Sequence, residues 1–135
     1  MYQQMIFVNL ATNDVAASRK FFTELGYSIN PQFSTDDCSC VVISDTIIAM
    51  LLSKQRYADF TKKEIADSTK TSEVLICLSA ESRQKVDELV EKAVAAGGTA
   101  NDDVQDQGFM YGRSFDDLDG HSWEVVWMDP AAVQG

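Results

Sequence analysis

The sequence contains very little histidine: His121 is the only one among 135 residues. A metal site built on two histidines is therefore excluded within one chain, and no Ser-His-Asp or Cys-His arrangement can be defended around a single side chain. His121 follows a predicted turn, where we expect it to be exposed rather than catalytic. The lack of histidine thus removes the commonest routes to metal and nucleophilic chemistry.

Basic residues are also scarce, with 11 Lys and Arg against 21 Asp and Glu and a formal net charge of −10. Nucleic acids are bound through clustered Lys and Arg, and the one notable pair, Lys62-Lys63, stands among acids. We therefore predict no nucleic-acid partner. The charge alone names no other partner, because surface acidity indicates solubility rather than binding.

Long apolar runs are absent, since no stretch approaches the roughly 20 residues that cross a bilayer. The first residues lack the basic start and small-residue cleavage site of a signal peptide. The three cysteines, Cys38, Cys40 and Cys77, form an odd set that a reducing compartment keeps as thiols. We therefore predict a cytoplasmic protein with no membrane partner.

The sequence does contain a repeat, because the order of predicted secondary-structure elements, β-α-β-β-β, occurs twice. In the first half, residues 5–12 predict a strand, Asn13-Asp14 begins a helix that ends at Gly26, and residues 27–33, 38–44 and 46–52 predict strands. In the second half, residues 73–79 predict a strand, Ser79 or Ser82 begins a helix that ends at Gly97-Gly98, and residues 99–104, 109–115 and 122–128 predict strands. The repeat indicates an internal duplication.

We therefore predict a single α+β domain over residues 1–135. Module one spans about residues 1–52 and module two about residues 72–130. The connector, residues 53–71, has loose helical spacing. It is either a plain surface connector with a short helix or a flap that covers a ligand.

Two stretches resemble motifs of the vicinal oxygen chelate superfamily, which includes the glyoxalases, bleomycin-resistance proteins and extradiol dioxygenases. Residues 13–27, NDVAASRKFFTELGY, are similar to its opening helix, and residues 115–124, FDDLDGHSWE, resemble its closing hairpin. Leu118 stands where the family has proline. The resemblance implies two βαβββ modules that form a cupped mixed sheet around a ligand, and a homodimer. It implies less about function, because the family includes lyases, dioxygenases and drug-binding proteins.

The resemblance also implies metal-ligand positions, of which this sequence fills one. They fall at Phe7, near Leu75, near Met50 and at Glu124, and only Glu124 offers a ligand atom. A divalent metal needs about three or more protein ligands. We therefore predict no cofactor, with a divalent metal as the alternative if the register differs or a partner chain adds ligands.

Glu124 alternates with two tryptophans along the last strand, so it points into the cup if the face of Trp123 and Trp127 packs on the helices. A buried, unpaired carboxylate is costly, and we expect Arg113 on the neighbouring strand to pair with it. Glu124 is then either half of a structural ion pair or a group that polarises a ligand.

Two functions are predicted as alternatives. One is a metal-free protein that binds a small, partly apolar or aromatic molecule; the other is a metal-dependent, lactoylglutathione-lyase-like lyase or a dioxygenase in which Glu124 is the catalytic base and a ligand. The residues predicted to bind the ligand are Phe7, Asn9, Met50, Cys77, Phe109, Tyr111, Arg113 and Glu124. Ordinary core packing is the alternative for Phe7 and Met50, and Cys77 is otherwise an inert thiol. The amide of Asn9, set between apolar residues, needs hydrogen bonds that a ligand or partner supplies.

Overall fold

The computed structural model describes residues 2–132, which contain nine strands and three α-helices. The chain divides into two compact units, residues 1–67 and 68–135. Each unit contains a mixed sheet with one long helix, as the predicted α+β fold class requires. No helix among the described residues has the length and apolar character needed to cross a membrane.

The first unit is a four-stranded sheet with one long helix packed against its central strands. Its elements are β1 (Ile6–Thr12), α1 (Val15–Glu24), β2 (Ser28–Ile29), β3 (Cys38–Ser44), β4 (Ile47–Ser53) and the short α2 (Lys54–Tyr57). The strand order is β1-β4-β3-β2, with β1 parallel to β4 and the other pairs antiparallel. Helix α1 contacts β3 and β4, and the core lies where Phe21 and Phe22 are buried with Val41, Ala49 and Leu51.

Helix α1 begins and ends where the sequence predicts. Asp14 is its N-cap, and its side chain accepts a hydrogen bond from the Ala17 backbone N–H at 3.0 Å, which satisfies one of the free donors of the first turn. At the other end Gly26 has a φ of +107°, the left-handed conformation that stops a helix at low cost in glycine.

The second unit repeats this plan with one additional short strand. Its elements are β5 (Leu75–Ser79), α3 (Arg83–Ala95), β6 (Thr99–Ala100), β7 (Gln105–Asp106), β8 (Met110–Asp116) and β9 (Ser122–Met128). The strand order is β5-β9-β8-β6, and β7 pairs with β8 beyond β6. Helix α3 packs on β8 and β9, and Val86, Val90, Trp123 and Val125 are completely buried in this core.

The two units share one pairing register. In the first, Asn9 lies opposite Met50, which lies opposite Cys40. In the second, Cys77 lies opposite Glu124, which lies opposite Ser114. Equivalent positions therefore match strand by strand, which supports the internal duplication.

Two of the predicted strands are wrong over most of their length. The strand predicted at 27–33 is only Ser28–Ile29, because the Asn30 side chain accepts from the Gln32 backbone N–H at 3.0 Å and starts a 3-10 turn, Pro31–Phe33. Local Asn-to-backbone bonds of this kind compete with strand pairing, and Pro31 has no N–H to donate to a ladder.

The strand predicted at 99–104 fails for the same reason. Only Thr99–Ala100 pairs with β8, because the Asn101 side chain accepts from the Asp103 backbone N–H at 3.0 Å and turns the chain away. The chain returns to the edge of β8 at Gln105–Asp106. The connector is helical only in α2 and in a 3-10 turn at Ala58–Phe60.

The turn between β8 and β9 is closed by a buried carboxylate. Asp117, 7% exposed, accepts hydrogen bonds at 3.0 Å from the backbone N–H groups of Asp119 and His121 and from the indole Nε1–H of Trp123. Burial raises the pKa of Asp117. His121 is half-buried, so the expectation that it is exposed is wrong.

Gly120 completes this turn under a second constraint. Its φ is +86°, and a Cβ placed there would lie 2.8 Å from the backbone oxygen of Ser68. The Ser68 hydroxyl donates to the Asp119 carbonyl at 2.6 Å, so Ser68 is held against the turn and has little room to retreat.

We therefore expect Gly120→Ala to lower the free energy of unfolding by roughly 2 kcal/mol or more, because strain and a backbone clash add. Gly26→Ala is the matched control, with a φ of +107° and nothing within 4 Å of the new Cβ; it should cost only the strain of about 1–2 kcal/mol. Urea unfolding of both variants measures the difference. Equal costs would mean that Ser68 does not constrain the turn.

Candidate functional site

A pocket of about 370 Å³ lies on the second unit, against the face of β8 and β9 that is turned away from α3. Its lining consists of Asn101, Asp103, Gln105, Met110, Gly112, Arg113, Ser114, Glu124 and Val126. This volume is at the lower end of the range for small-molecule sites, roughly 300–1,000 Å³. The pocket therefore suits a small molecule rather than a macromolecule.

The register of β8 and β9 builds the floor of this pocket. Ser114 lies opposite Glu124 and Gly112 opposite Val126, and alternation brings all four side-chain positions to one face. At Gly112 a Cβ would lie 3.2 Å from Val126 Cγ2 and 3.9 Å from Gln105 Cβ. A larger residue there would crowd the pocket, so this glycine keeps its floor open.

Two carboxylates in the lining can only accept hydrogen bonds when ionised. They belong to Glu124 and Asp103, whereas Ser114 and the amides of Asn101 and Gln105 can both donate and accept. Within residues 2–132 the carboxylate of Glu124, which is half-buried, makes no ion pair. The pocket therefore presents uncompensated negative charge to whatever enters it.

Arg113 does not supply the missing positive charge. Its Nη1 donates to Asp87 Oδ1 on α3 at 3.0 Å, and the same oxygen accepts from the Tyr111 hydroxyl at 2.7 Å. The hydrogen bond from Tyr111 and then that from Arg113 lower the pKa of Asp87, and Asp87 in turn raises the pKa of Tyr111. This network keeps the guanidinium on the helix face.

The expected ion pair between Arg113 and Glu124 is therefore wrong. Arg113 lies opposite Val125, and its neighbour Ser114 lies opposite Glu124. Arg113 and Glu124 thus project from opposite faces of neighbouring strands, and only the inter-strand register could have shown this. Arg113 borders the pocket, but its charge is compensated by Asp87.

The predicted ligand-binding residues of the second unit separate into three places. Arg113 and Glu124 line the pocket, Tyr111 is bonded to Asp87 on the helix face, and Phe109 stands 44% exposed just before β8. Cys77 is next to Glu124 across β5 and β9. Cys77 is exposed, but partial desolvation of its sulfur and the charge of Glu124 raise the pKa of its thiol, which disfavours the reactive thiolate.

The predicted residues of the first unit lie on one face of its sheet. Asn9 is opposite Met50, and Phe7 lies two residues before Asn9 on β1. Phe7 is 57% exposed, so the alternative interpretation, that it is an ordinary core residue, is wrong. Asn9 is also exposed, and solvent can therefore satisfy the amide that was expected to need a ligand.

Sequence reasoning missed most of the pocket lining. Alternation along β8 places Met110, Gly112 and Ser114 on one face of the strand. The sequence therefore contained a signal for these residues once Glu124 was taken as the centre of the site. Asn101 and Asp103 carried no such signal, because residues 99–104 were assigned to a regular strand, and Gln105 lay outside every predicted strand.

The donor groups of one chain do not fit a divalent metal. Across the described part of the chain, no three His, Cys, Asp or Glu side chains lie close enough together to hold an ion. The neighbours of Glu124 in its sheet row are Cys77 and Ser114, whereas stable sites use three or more N, O or thiolate ligands. No catalytic step through a metal follows from this arrangement.

Comparison with known proteins agrees with the fold described above. A sequence profile described as bleomycin resistance protein-like N-terminal matches residues 4–44. The chain is similar to the solved structure of hypothetical protein SA1046 from S. aureus, with 28% identity, 94% of each chain covered and a TM-score of 0.78. It is also similar to a glyoxalase/bleomycin resistance protein/dioxygenase family enzyme from Burkholderia phytofirmans, with 16% identity, 93% of this chain and 99% of that chain covered, and a TM-score of 0.76.

A third similar structure is the fosfomycin resistance protein FosX from Listeria monocytogenes, with 18% identity, 94% of each chain covered and a TM-score of 0.66. No curated protein sequence matches the chain. The chain has the glyoxalase/bleomycin-resistance fold. The predicted resemblance to the vicinal oxygen chelate superfamily is confirmed.

The Asp87 network behind the pocket gives a test that depends on pH. We expect Asp87→Asn to lower the free energy of unfolding at pH 7 by about 1–2 kcal/mol, because Arg113, whose side chain is 21% exposed, loses its ionic partner. A carboxyl whose folded pKa is lowered stabilises the fold above its unfolded pKa, and this stabilisation is lost as the pH falls through the folded pKa. The difference from wild type should therefore shrink below about pH 4.

Urea unfolding at pH 7 and pH 3 measures both parts of this prediction. Glu88→Gln is the control, since Glu88 is a neighbouring carboxylate on α3 paired with Lys85 at the surface, where an ion pair contributes at most about 1 kcal/mol. A pH-independent cost of Asp87→Asn would contradict the ionic role assigned to Asp87.

Proposed function

We propose that the protein binds a small, partly apolar molecule that carries a positively charged or hydrogen-bond-donating group, in the pocket on β8 and β9. The observation that carries the proposal is the carboxylate of Glu124, which faces this pocket without an ionic partner among residues 2–132. A charge-assisted hydrogen bond from a ligand would satisfy it.

The rest of the lining supports a ligand of mixed character. Met110 and Val126 provide apolar surface on the floor, and Asp103 adds a second carboxylate at the wall. Ligand sites commonly combine apolar walls with a few polar groups that fix orientation. A cationic end at Glu124 and an apolar body over Met110 and Val126 would use both.

The donor set favours binding over metal-dependent catalysis. The fold alone does not decide between these functions, because similar structures include a fosfomycin resistance protein and a lactoylglutathione lyase from Agrobacterium tumefaciens. What separates the two functions here is that Glu124 has no companion ligands among residues 2–132 of its own chain. We therefore propose that the chain binds its ligand without a metal cofactor.

We further propose a homodimer in the cytoplasm. Edge strands β1 and β5 expose apolar side chains, with Ile6 55%, Phe7 57% and Leu75 60% exposed, and such edges favour association. The cysteines are free thiols, as a reducing compartment would keep them.

The ligand class can be tested with a matched pair of probes, phenethylamine and 3-phenylpropionate, which differ in the sign of charge at the end of the same aromatic body. We expect phenethylamine to shift the backbone amide signals of Gly112, Ser114, Glu124 and Val126 of the 15N-labelled protein. Glu124→Gln should weaken its binding about 10-fold, the effect of losing one charge-assisted hydrogen bond.

Glu91→Gln is the control, because Glu91 is an exposed carboxylate on α3 and its loss changes the net charge equally. It should leave the affinity for phenethylamine within about 2-fold of wild type, since exposed charges are screened beyond roughly 10 Å. Equal binding of 3-phenylpropionate, or equal effects of the two substitutions, would overturn the proposed role of Glu124.

Metal content is the second test. We expect protein purified without added metal, and protein incubated with nickel, zinc or manganese and then desalted, to contain well below about one ion per chain. Elemental analysis at known protein concentration measures this for wild type and Glu124→Gln. About one ion per chain in wild type, lost in Glu124→Gln, would show that a partner chain completes a metal site and would favour the lyase or dioxygenase function.

A further inference from the structure

One wall of the pocket is an exposed segment that is hydrogen-bonded at its two ends: the Asn101 N–H donates to the Ser114 carbonyl at 3.0 Å, and the Phe109 carbonyl accepts from the Asp129 N–H at 2.7 Å. Residues 101–109, here called the arm, contribute Asn101, Asp103 and Gln105 to the lining. All nine residues of the arm are exposed. Its paired strand is only Gln105–Asp106, which lies along Tyr111 and Gly112 of β8. Burial therefore contributes little to holding this wall in place.

The two residues of β7 point to opposite sides. Gln105 faces the pocket, and Asp106 faces the side of the sheet that carries α3. There Arg83, the first residue of α3, donates from Nη1 and Nη2 to the two carboxylate oxygens of Asp106, both at 2.9 Å. Its Nη2 also donates to the Gly108 carbonyl at 2.8 Å. One side chain thus binds the arm at two points.

The guanidinium of Arg83 is itself held in place. It lies 5.1 Å from the ring centroid of Tyr111 and 5.2 Å from that of Trp127, within the range of cation–π attraction. The Arg83 hydrogen bond, and then the Gly108 backbone N–H, lower the pKa of Asp106 to about 2, so this ion pair persists at ordinary pH. A bidentate, stacked arginine is more firmly oriented than a typical surface pair.

We propose that Arg83 is a positioning residue for the pocket: from the opposite face of the sheet it fixes the arm through Asp106 and Gly108, and so sets the places of Asp103 and Gln105 in the pocket wall. That Arg83 holds the arm rests on the contacts alone. That this matters for binding rests on the proposed function.

The first test needs no ligand. Hydrogen–deuterium exchange of the full-length protein should show amides of residues 103–109 exchanging about 10-fold faster in Arg83→Gln, because local opening of the arm becomes easier. Arg83→Lys should give intermediate protection, since lysine keeps the charge but not the fork. Exchange in the body of α3 and in β9 should stay at the wild-type rate.

Arg56→Gln is a matched control, because Arg56 also pairs with an aspartate, Asp59 at 3.0 Å, and lies 4.8 Å from an aromatic ring centroid, that of Phe60. It belongs to the first unit and should not change exchange in the arm. Unchanged exchange in Arg83→Gln would overturn the proposal. So would faster exchange throughout the second unit, which would indicate a general loss of stability.

The second test links the arm to the pocket. Arg83→Gln should weaken phenethylamine binding several-fold while its urea midpoint stays close to wild type, a split that a merely structural role would not give. Faster exchange of the arm with unchanged affinity would overturn the positioning role. If phenethylamine does not bind wild type, the proposed function fails, and the exchange experiment alone then decides whether Arg83 holds the arm.

Discussion

The arrangement of the pocket depends on one buried carboxylate, that of Asp117. It binds two backbone N–H groups of the β8–β9 turn and the indole of Trp123, so it fixes both the turn and the first large side chain after it. Because side chains alternate, fixing Trp123 on the helix face places Glu124 on the pocket face. A slip of one residue would exchange the two faces. The negative charge of the pocket therefore follows from a turn outside it.

In both units a side-chain hydrogen bond links the long helix to the sheet, but the helix donates it in the first unit and the strand donates it in the second. In the first, Arg19 of α1 donates from Nε to the buried hydroxyl of Ser39 on β3 at 2.8 Å. The corresponding positions of the second unit are Asp87 on α3 and Arg113 on β8, and here the strand donates to the helix. The link between helix and sheet is thus retained while its charge is reversed. The reversal keeps the arginine of β8 bound to the helix.

Much of the fold could be predicted from the sequence, because its signals are local. The cap at Asp14 and the stop at Gly26 define α1, and the limits of β3 and β9 agree with the predicted 38–44 and 122–128. The strands at 27–33 and 99–104 were wrong because single asparagine side chains turn the backbone. For the site, alternation gave the face of Glu124 within its strand. It could not give the partner of Arg113, which depends on register between strands and on a helix distant in sequence.

The same reversal of charge changes which helix residue binds the arm. In the first unit, Arg19 also donates to the carbonyls of Thr35 and Cys38, so it holds the connection between β2 and β3. In the second unit its position is taken by Asp87, which cannot donate to carbonyls. Arg83, one helical turn earlier, instead binds the corresponding connection between β6 and β8. An arginine of the helix thus holds this connection in both units, and its shift by one turn leaves Asp87 free to bind Arg113. The attachment of the pocket wall through Arg83 therefore accompanies the placement of an aspartate in the middle of α3, where it binds Arg113.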